Sequence, residues 1–203
     1  MANESPFSKY KALFVSLMIF LFIILILVIY FVGSYNRFVT LNQDVSSKWS
    51  EVENQYQRQS DLIPNLVSTV SSAVRVETKF ITEVTEARSR WQESSAIFDK
   101  DSAGAQMNNG ITALVNAVAT AENYPILQAN KQYTALTDEL SGTQNRISTS
   151  RTRYIESIQK YNTAIKRFPG NILAKLYGFS EKDYYKAELN ALETPSLGNG
   201  QLP

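Results

Sequence analysis

The chain has 203 residues, with 20 basic and 19 acidic side chains and neither cysteine nor histidine. The missing residue types exclude a thiolate nucleophile, a Ser-His-Asp triad, an imidazole base, disulfides and metal ligation by His or Cys. The balanced charge provides no long-range attraction to a phosphate backbone, so we expect no nucleic-acid partner.

The N-terminal region is predicted to cross a lipid bilayer. After a short segment, residues 1–11, the stretch 12–32 reads ALFVSLMIFLFIILILVIYFV and carries no charge. As a helix it spans about 31 Å, the thickness of a hydrocarbon core. The alternative, a cleaved signal peptide, has an apolar region of only about 7–15 residues and a small-residue cleavage site, which Tyr30–Tyr35 lacks. We therefore expect an uncleaved, single-pass anchor.

The charges beside this span indicate its orientation. Lys9, Lys11 and the terminal amine precede it closely, whereas Arg37 and Lys48 follow at a greater mean distance. The positive-inside rule therefore favours a cytoplasmic N-terminus and an exported C-terminal domain, by a margin of one charge.

Residues 33–178 are predicted to form a bundle of long helices. The first helix continues directly from the span, and its apolar positions are spaced by three or four residues. They are Phe38, Leu41, Val45, Trp49, Val52 and Tyr56. Ser60 or Asp61 is expected to cap a second helix, with Pro64 in its first turn.

Heptad spacing marks the later helices. In the second helix the two apolar seams are Leu66, Ala73, Phe80, Ala87 and Val70, Glu77, Val84, Trp91. Glu93–Gly110 is rich in Ser, Asp, Asn and Gly and is interpreted as a loop, followed by a shorter helix over Asn109–Glu122.

The last long helix is predicted over Ile126–Phe168, ending at Pro169 and Gly170. One of its seams is Tyr133, Leu140, Ile147, Tyr154, Tyr161 and Phe168. No strand pattern occurs, so the fold class is all-α: a transmembrane helix followed by an antiparallel three- to four-helix bundle with coiled-coil packing. Residues 179–203 are expected to hold a short helix over Glu181–Leu192, capped by Ser180, and a loose tail.

Four segments, in this order and spacing, resemble the LemA family of bacterial membrane proteins. They are Tyr35-Asn36, Ser60–Val67 (SDLIPNLV), Glu122–Leu127 (ENYPIL) and Asn145-Arg146-Ile147 with Tyr161-Asn162 and Phe168-Pro169. The resemblance covers nearly the whole chain up to Gly178-Phe179. Gln144 stands where similar proteins usually carry Glu, and Tyr154-Ile155 stands where they tend to carry Tyr-Asn.

The resemblance implies a single-span protein with a helical bundle whose biochemical role is mostly unassigned. One branch of the family is implicated in building magnetosome membranes. No catalytic residues are carried over, because none are established for the family.

A few polar residues are candidates for a role beyond solubility. Glu77 and Arg151 interrupt apolar seams and are predicted to meet as a structural polar pair that penalises misassembled packings; a ligand or proton site is the alternative. Asp61 and Asn65 bracket Pro64 at the predicted helix start, a place suited either to simple capping or to an anion or a partner's backbone. Arg146 is expected to be a solvated or inter-helix donor.

Three classes of function compete. The favoured one is a membrane-anchored, non-enzymatic scaffold whose copies associate, since heptad seams with serine-rich outer faces can pack against identical helices. The second is an accessory or regulatory subunit of another membrane complex, such as a protease or an envelope-stress system. The third, an enzyme, is disfavoured because isolated carboxylates form no acid/base pair. We expect no catalytic residue, metal or cofactor.

Overall fold

The computed structural model describes residues 6–73, 78–120 and 130–184, and within these ranges every regular element is a helix. The prediction of an all-α fold is therefore confirmed. The helices are α1 (Pro6–Ala73), α2 (Thr78–Glu93), α3 (Ile97–Thr120), α4 (Lys131–Lys166) and α5 (Gly170–Tyr177). The described residues divide into two compact units. Residues 6–46 and 157–183 form the anchor unit, and residues 47–156 form the bundle unit.

Helix α1 is longer than predicted, because it runs without a break from the apolar segment to Ala73. The predicted continuation out of the span is confirmed, but the predicted helix start at Ser60 or Asp61 is wrong. The physical reason is burial on both sides of that point, which outweighs the helix-breaking tendency of one proline. Tyr56, Ile63 and Leu66 are each at most 1% exposed.

The proline inside α1 is accommodated by an arginine from α2. Pro64 has no N–H to donate to the carbonyl of Ser60, four residues earlier, and that carbonyl lies in a buried residue. The Nε–H of Arg88 donates to the Ser60 carbonyl oxygen at 2.9 Å. A side-chain donor thus replaces the missing backbone donor, as buried carbonyl groups require.

Helices α2 and α3 pack against each other as a hairpin, although the sequence predicted a loop over Glu93–Gly110. That prediction is wrong for all but the three residues between the helices. The buried face of α3 holds Ala103, Met107, Ile111, Leu114 and Val118. The glycines that suggested a loop lie where helices approach closely: a Cβ on Gly110 would lie 3.2 Å from the Cα of Val84.

Helix α4 begins at Lys131, where the side chain of Asn130 accepts from the backbone N–H of Gln132 at 2.9 Å and acts as an N-cap. The predicted residues 126–129 lie outside the described ranges. The heptad residues Tyr133, Leu140, Ile147, Tyr154 and Tyr161 are buried, as the pattern indicates. Phe168 is 80% exposed and lies beyond the helix end, so its predicted core position is wrong.

Within the anchor unit, α5 follows the end of α4, and Gly178 caps it with φ 76°. The chain then returns along α4 through paired hydrogen bonds: Asn162 Nδ2 donates to the carbonyl of Lys182 at 2.7 Å, and Lys182 N donates to Asn162 Oδ1 at 3.0 Å. Glu181–Tyr184 is not helical, which contradicts the start of the predicted last helix; the remainder of that prediction lies outside the described residues.

Candidate interaction site

Arg146 lies on the bundle unit at the junction of α1 and α4. Its Nη2 donates to Glu139 Oε1 at 2.9 Å and to Thr143 Oγ1 at 2.8 Å, and its Nε donates to Gln55 Oε1 at 3.3 Å. Through the hydrogen bond to Gln55, Arg146 donates from α4 to α1, as expected of an inter-helix donor. The side chain remains 43% exposed, so one face of the guanidinium is open to a partner.

Glu139 is shared by two arginines, since Arg58 Nη2 also lies 2.7 Å from its Oε1. All three side chains are at least one-third exposed, so each pair contributes only about 0–1 kcal/mol to stability. One carboxylate between two guanidinium groups leaves a net positive charge. A surface of this charge can form ion pairs with carboxylates.

A shallow cleft of about 410 Å³ adjoins Arg146, and we call it the Arg146 cleft. Every residue that lines it has a polar side chain: Glu51, Asn54, Gln55, Asn145, Arg146, Thr149, Ser150 and Arg153. Arg153 is exposed and has no ion pair within the described ranges. The lining supplies hydrogen-bond donors and acceptors, which suits recognition of a polar surface.

Of the predicted polar pair, only Arg151 lies within the described residues, and it contacts Asp101. Arg151 Nη2 donates to Asp101 Oδ2 at 2.8 Å, and the Asp101 side chain is 7% exposed. Tyr56 donates to the other carboxylate oxygen at 3.2 Å. Glu77 lies outside the described residues, so its meeting with Arg151 stays a prediction.

The Asp101 cluster is a part of the core rather than a surface site. Burial raises the pKa of Tyr56 above its ordinary range, and the nearby Asp101 carboxylate raises it further. The pKa of Tyr154 is also raised, first by burial and then by Asp101. Both phenols are therefore neutral donors at physiological pH. The cluster links α1, α3 and α4, which is a structural role.

Sequence reasoning missed Asp101 because the surrounding residues were interpreted as a loop. The sequence did contain a signal, the spacing of Ala103, Met107 and Ile111. This spacing extends the apolar period of the predicted helix Asn109–Glu122 toward the N-terminus. Asp101 lies three residues before the buried Gly104 and ten before Ile111, about 60° and about 80° from them around that helix. The position of Asp101 beside these apolar residues was the feature that indicated a buried carboxylate.

Asp61 and Asn65 lie inside α1, in its C-terminal part, and are both exposed. Asp61 Oδ1 accepts from Gln57 Nε2 at 2.8 Å, one helical turn earlier. The backbone carbonyl of Asn65 accepts from the Thr69 hydroxyl at 2.8 Å. No helix begins here, so the helix-terminus argument for an anion no longer holds. A role in contacting a partner stays a prediction.

Among the described residues, no group of three or more carboxylate, His or Cys side chains is placed to hold a metal ion. In the same ranges, one helix is long and apolar enough to cross a membrane, and its apolar window is wholly exposed. These features define a class: a membrane-associated helical protein with a polar, charged bundle surface. The sequence pattern of the LemA family matches residues 48–197, and the chain belongs to this family.

Relatives of known name agree with this assignment. The chain is 28% identical over 186 residues to two proteins of Paramagnetospirillum magneticum, Magnetosome protein MamQ 1 and Magnetosome protein MamQ 2. It is 27% identical to Magnetosome protein MamQ of Magnetospirillum gryphiswaldense. Each match covers 80% of this chain and 68% of the relative.

Proposed function

We propose that this chain is a single-pass, non-enzymatic interaction protein whose copies associate at the membrane through their bundle units. The observation that carries the proposal is the exposed apolar window at the start of α1. All side chains over residues 13–32 are exposed. An exposed apolar surface of this size is unfavourable in water, whereas a helix that crosses a bilayer requires one. The MamQ relatives are named as magnetosome proteins, and these names support the membrane part of the proposal.

Two surfaces of the bundle unit have complementary charge. One is the Arg146 cleft together with Arg58. The other, which we call the acidic corner, is lined where α2 meets α3 by Glu93 and Asp99 together with Arg90, and Phe98 is 71% exposed beside them. An exposed aromatic ring within a charged rim is typical of a protein contact. The proposed contact joins the acidic corner of one copy to the Arg146 cleft of the next.

Charge reversal tests this contact. The full chain, in a mild detergent, is crosslinked and its oligomer fraction is measured by native mass spectrometry. Arg153→Glu is expected to lower the dimer fraction several-fold, because like charges across an interface repel. Combining it with Glu93→Arg in the second copy is expected to restore the dimer. Lys131→Glu, the same charge change at an exposed residue outside both surfaces, serves as the matched control.

The contrary outcomes are distinct. A wild-type chain that is only monomeric at all concentrations contradicts self-association. A dimer that Arg153→Glu and Lys131→Glu weaken equally contradicts the proposed surfaces. A different membrane protein recovered in stoichiometric amount after gentle solubilisation supports the alternative, an accessory subunit of another complex.

Sidedness is a separate part of the proposal. Lys9 and Lys11 favour a cytoplasmic N-terminus and an exported bundle. Alkaline phosphatase fused to the C-terminus is then expected to be active, and a fluorescent protein that folds only in the cytoplasm is expected to be dark. The reverse pair of results contradicts this orientation.

A further inference from the structure

Helix α5 contacts α1 on both sides of the point where the apolar run ends. The Tyr177 hydroxyl donates to the carbonyl of Phe31 at 3.1 Å, and its ring meets the ring of Tyr35 edge-on, with centroids 5.2 Å apart. Since the uncharged run ends at Val32, these contacts place α5 at the membrane–water interface of a spanning α1. Tyrosines are enriched at that level.

Helix α5 exposes apolar side chains there. Ile172 and Leu176 are 59% and 68% exposed and, four residues apart, share one face of the helix. Phe168, just before the helix, is 80% exposed. The opposite side of α5 is buried through Leu173 and Ala174, so the helix is fully partnered within the anchor unit on that side. Its apolar face is typical of a helix that lies in the headgroup region.

A cavity of about 600 Å³ lies beside α5, between α1 and the end of α4. We call it the basic cleft, because its charged lining residues are Arg37, Lys160 and Arg167 and no carboxylate lines it. Within the described part of the chain, none of the three cations forms an ion pair. Three cations without ion pairs in one cleft favour binding of an anion whose negative charge is shared by several oxygen atoms.

The rest of the lining is suited to an amphipathic ligand. Ser34 and Thr163 supply hydroxyl groups, while Phe38, Leu41 and Phe168 supply apolar surface. Tyr30, in the last turn of the apolar run, also lines the cleft. The cleft therefore extends from the level of the hydrocarbon region to the level of the headgroups.

We infer that the basic cleft binds the phosphate of an anionic phospholipid, while Phe168, Ile172 and Leu176 enter the acyl boundary around it. Two independent observations support this inference: unpaired cations in a cleft that adjoins the membrane span, and an exposed apolar face at the same level. Basic pockets beside transmembrane helices bind acidic headgroups through this combination of charge and depth. The inference does not depend on self-association of the bundle units.

The test uses the full chain in detergent with an equimolar mixture of dioleoylphosphatidylglycerol and dioleoylphosphatidylcholine. Native mass spectrometry counts the lipids that each protein molecule retains. The wild-type chain is expected to retain phosphatidylglycerol preferentially. The triple variant Arg37→Gln, Lys160→Gln, Arg167→Gln is expected to lose this preference by at least about tenfold, since each cation near an acidic headgroup adds to the affinity. It should fold normally, because no ion pair is removed.

A charge-matched control separates the cleft from overall charge. The variant Lys79→Gln, Arg90→Gln, Lys131→Gln removes three exposed cations from the bundle unit and is expected to keep the preference. Ile172→Ser with Leu176→Ser is expected to weaken retention of both lipids. Inorganic phosphate in excess is expected to displace little phosphatidylglycerol, because it lacks the apolar part.

Three results would overturn the inference. They are equal retention of both lipids by the wild-type chain, equal loss in the cleft and control variants, and full displacement by inorganic phosphate. The last would indicate a site for a free anion instead of a lipid. Thermal unfolding followed by circular dichroism verifies that each variant is folded before its lipids are counted.

Discussion

Tyr56 lies in the core of the bundle unit. Its side chain is fully buried, donates to Asp101 and lies 6.4 Å, centroid to centroid, from the ring of Trp91. A hydroxyl in such a place is tolerated only because its hydrogen bond is made. Gly104 gives the ring its space, since a Cβ there would lie 2.5 Å from a ring carbon.

The pKa of Tyr56 leads to a prediction about stability in alkali. Because this pKa is raised in the folded chain, the folded state keeps a proton that the unfolded state loses above about pH 10. The free energy of unfolding should therefore fall as the pH rises through that value. When the pH rises from about 9 to about 11, the free energy of unfolding of Tyr56→Phe, measured in urea, should fall by about 1 kcal/mol less than that of the wild type. Equal losses would contradict the burial of the phenol.

The same substitution at two glycines should have opposite effects. Gly104→Ala forces the Tyr56 ring to move and is expected to cost about 1–3 kcal/mol. Gly142→Ala, also inside a helix, places its Cβ 3.4 Å from the flexible end of Arg146 and is expected to stabilise by about 0.5–1 kcal/mol. Denaturant unfolding of the two single variants measures both signs, and a destabilised Gly142→Ala would contradict the second.

At the scale of the elements, α1 shows how tertiary contacts override a local signal. Ser60, Asp61 and Pro64 together form a good helix start, and sequence reasoning predicted one. The structure continues the helix because its apolar face is buried on both sides of Pro64 and because Arg88 bonds the carbonyl that the proline leaves free. The donor lies on another helix, so no local pattern indicates it.

A double-mutant cycle measures this compensation. Arg88→Ala leaves the Ser60 carbonyl without the Arg88 Nε donor and is expected to cost about 1–3 kcal/mol. In a Pro64→Ala background the backbone N–H is restored, so Arg88→Ala should cost distinctly less. The coupling free energy from urea unfolding is therefore expected to be about 1 kcal/mol. A value near zero would show that Arg88 acts independently of the proline.

Helix α4 contains a seam that the heptad analysis did not include. Thr143, Ser150, Ser157 and Ala164 repeat at seven residues and are buried, beside the predicted aromatic seam. Because hydroxyl residues also occur on exposed faces, their spacing alone did not distinguish them from a solvated surface. Their hydroxyls can donate to the helix's own carbonyls, as Thr143 does to Glu139 at 2.8 Å, which makes burial tolerable.

For the whole molecule, the apolar start of α1 determines where the chain resides. Its side chains over residues 13–32 are all exposed. Membrane association follows from this and from the LemA assignment. The bundle unit, in contrast, buries its apolar residues internally and presents charged surfaces.

Charges placed in this helix should abolish membrane association. Each Lys at the centre of a span costs about 2.5–3.5 kcal/mol of insertion free energy. The variant Ile23→Lys, Ile24→Lys, Leu25→Lys is therefore expected to leave the membrane fraction during carbonate extraction, whereas the wild-type chain stays there. Ser46→Lys, Ser47→Lys, Ser50→Lys is the matched control and should remain in the membrane. Retention of the first variant would contradict a spanning role.

Features that depend on local period and composition could be predicted from the residues alone. A long uncharged run, a 3.5-residue apolar repeat and a Pro-Gly pair act through the chain's own geometry, so the anchor, the all-α class, the LemA resemblance and the end of α4 were predictable. Features that depend on residues distant in sequence became visible only in the folded chain. They are the partner of Arg151, the uninterrupted α1, the helix in place of a glycine-rich loop, and the basic cleft, whose cations come from α1 and from the end of α4. The physical reason is that burial and charge compensation are set by which helices become neighbours, and that choice is made by the packing of the whole unit.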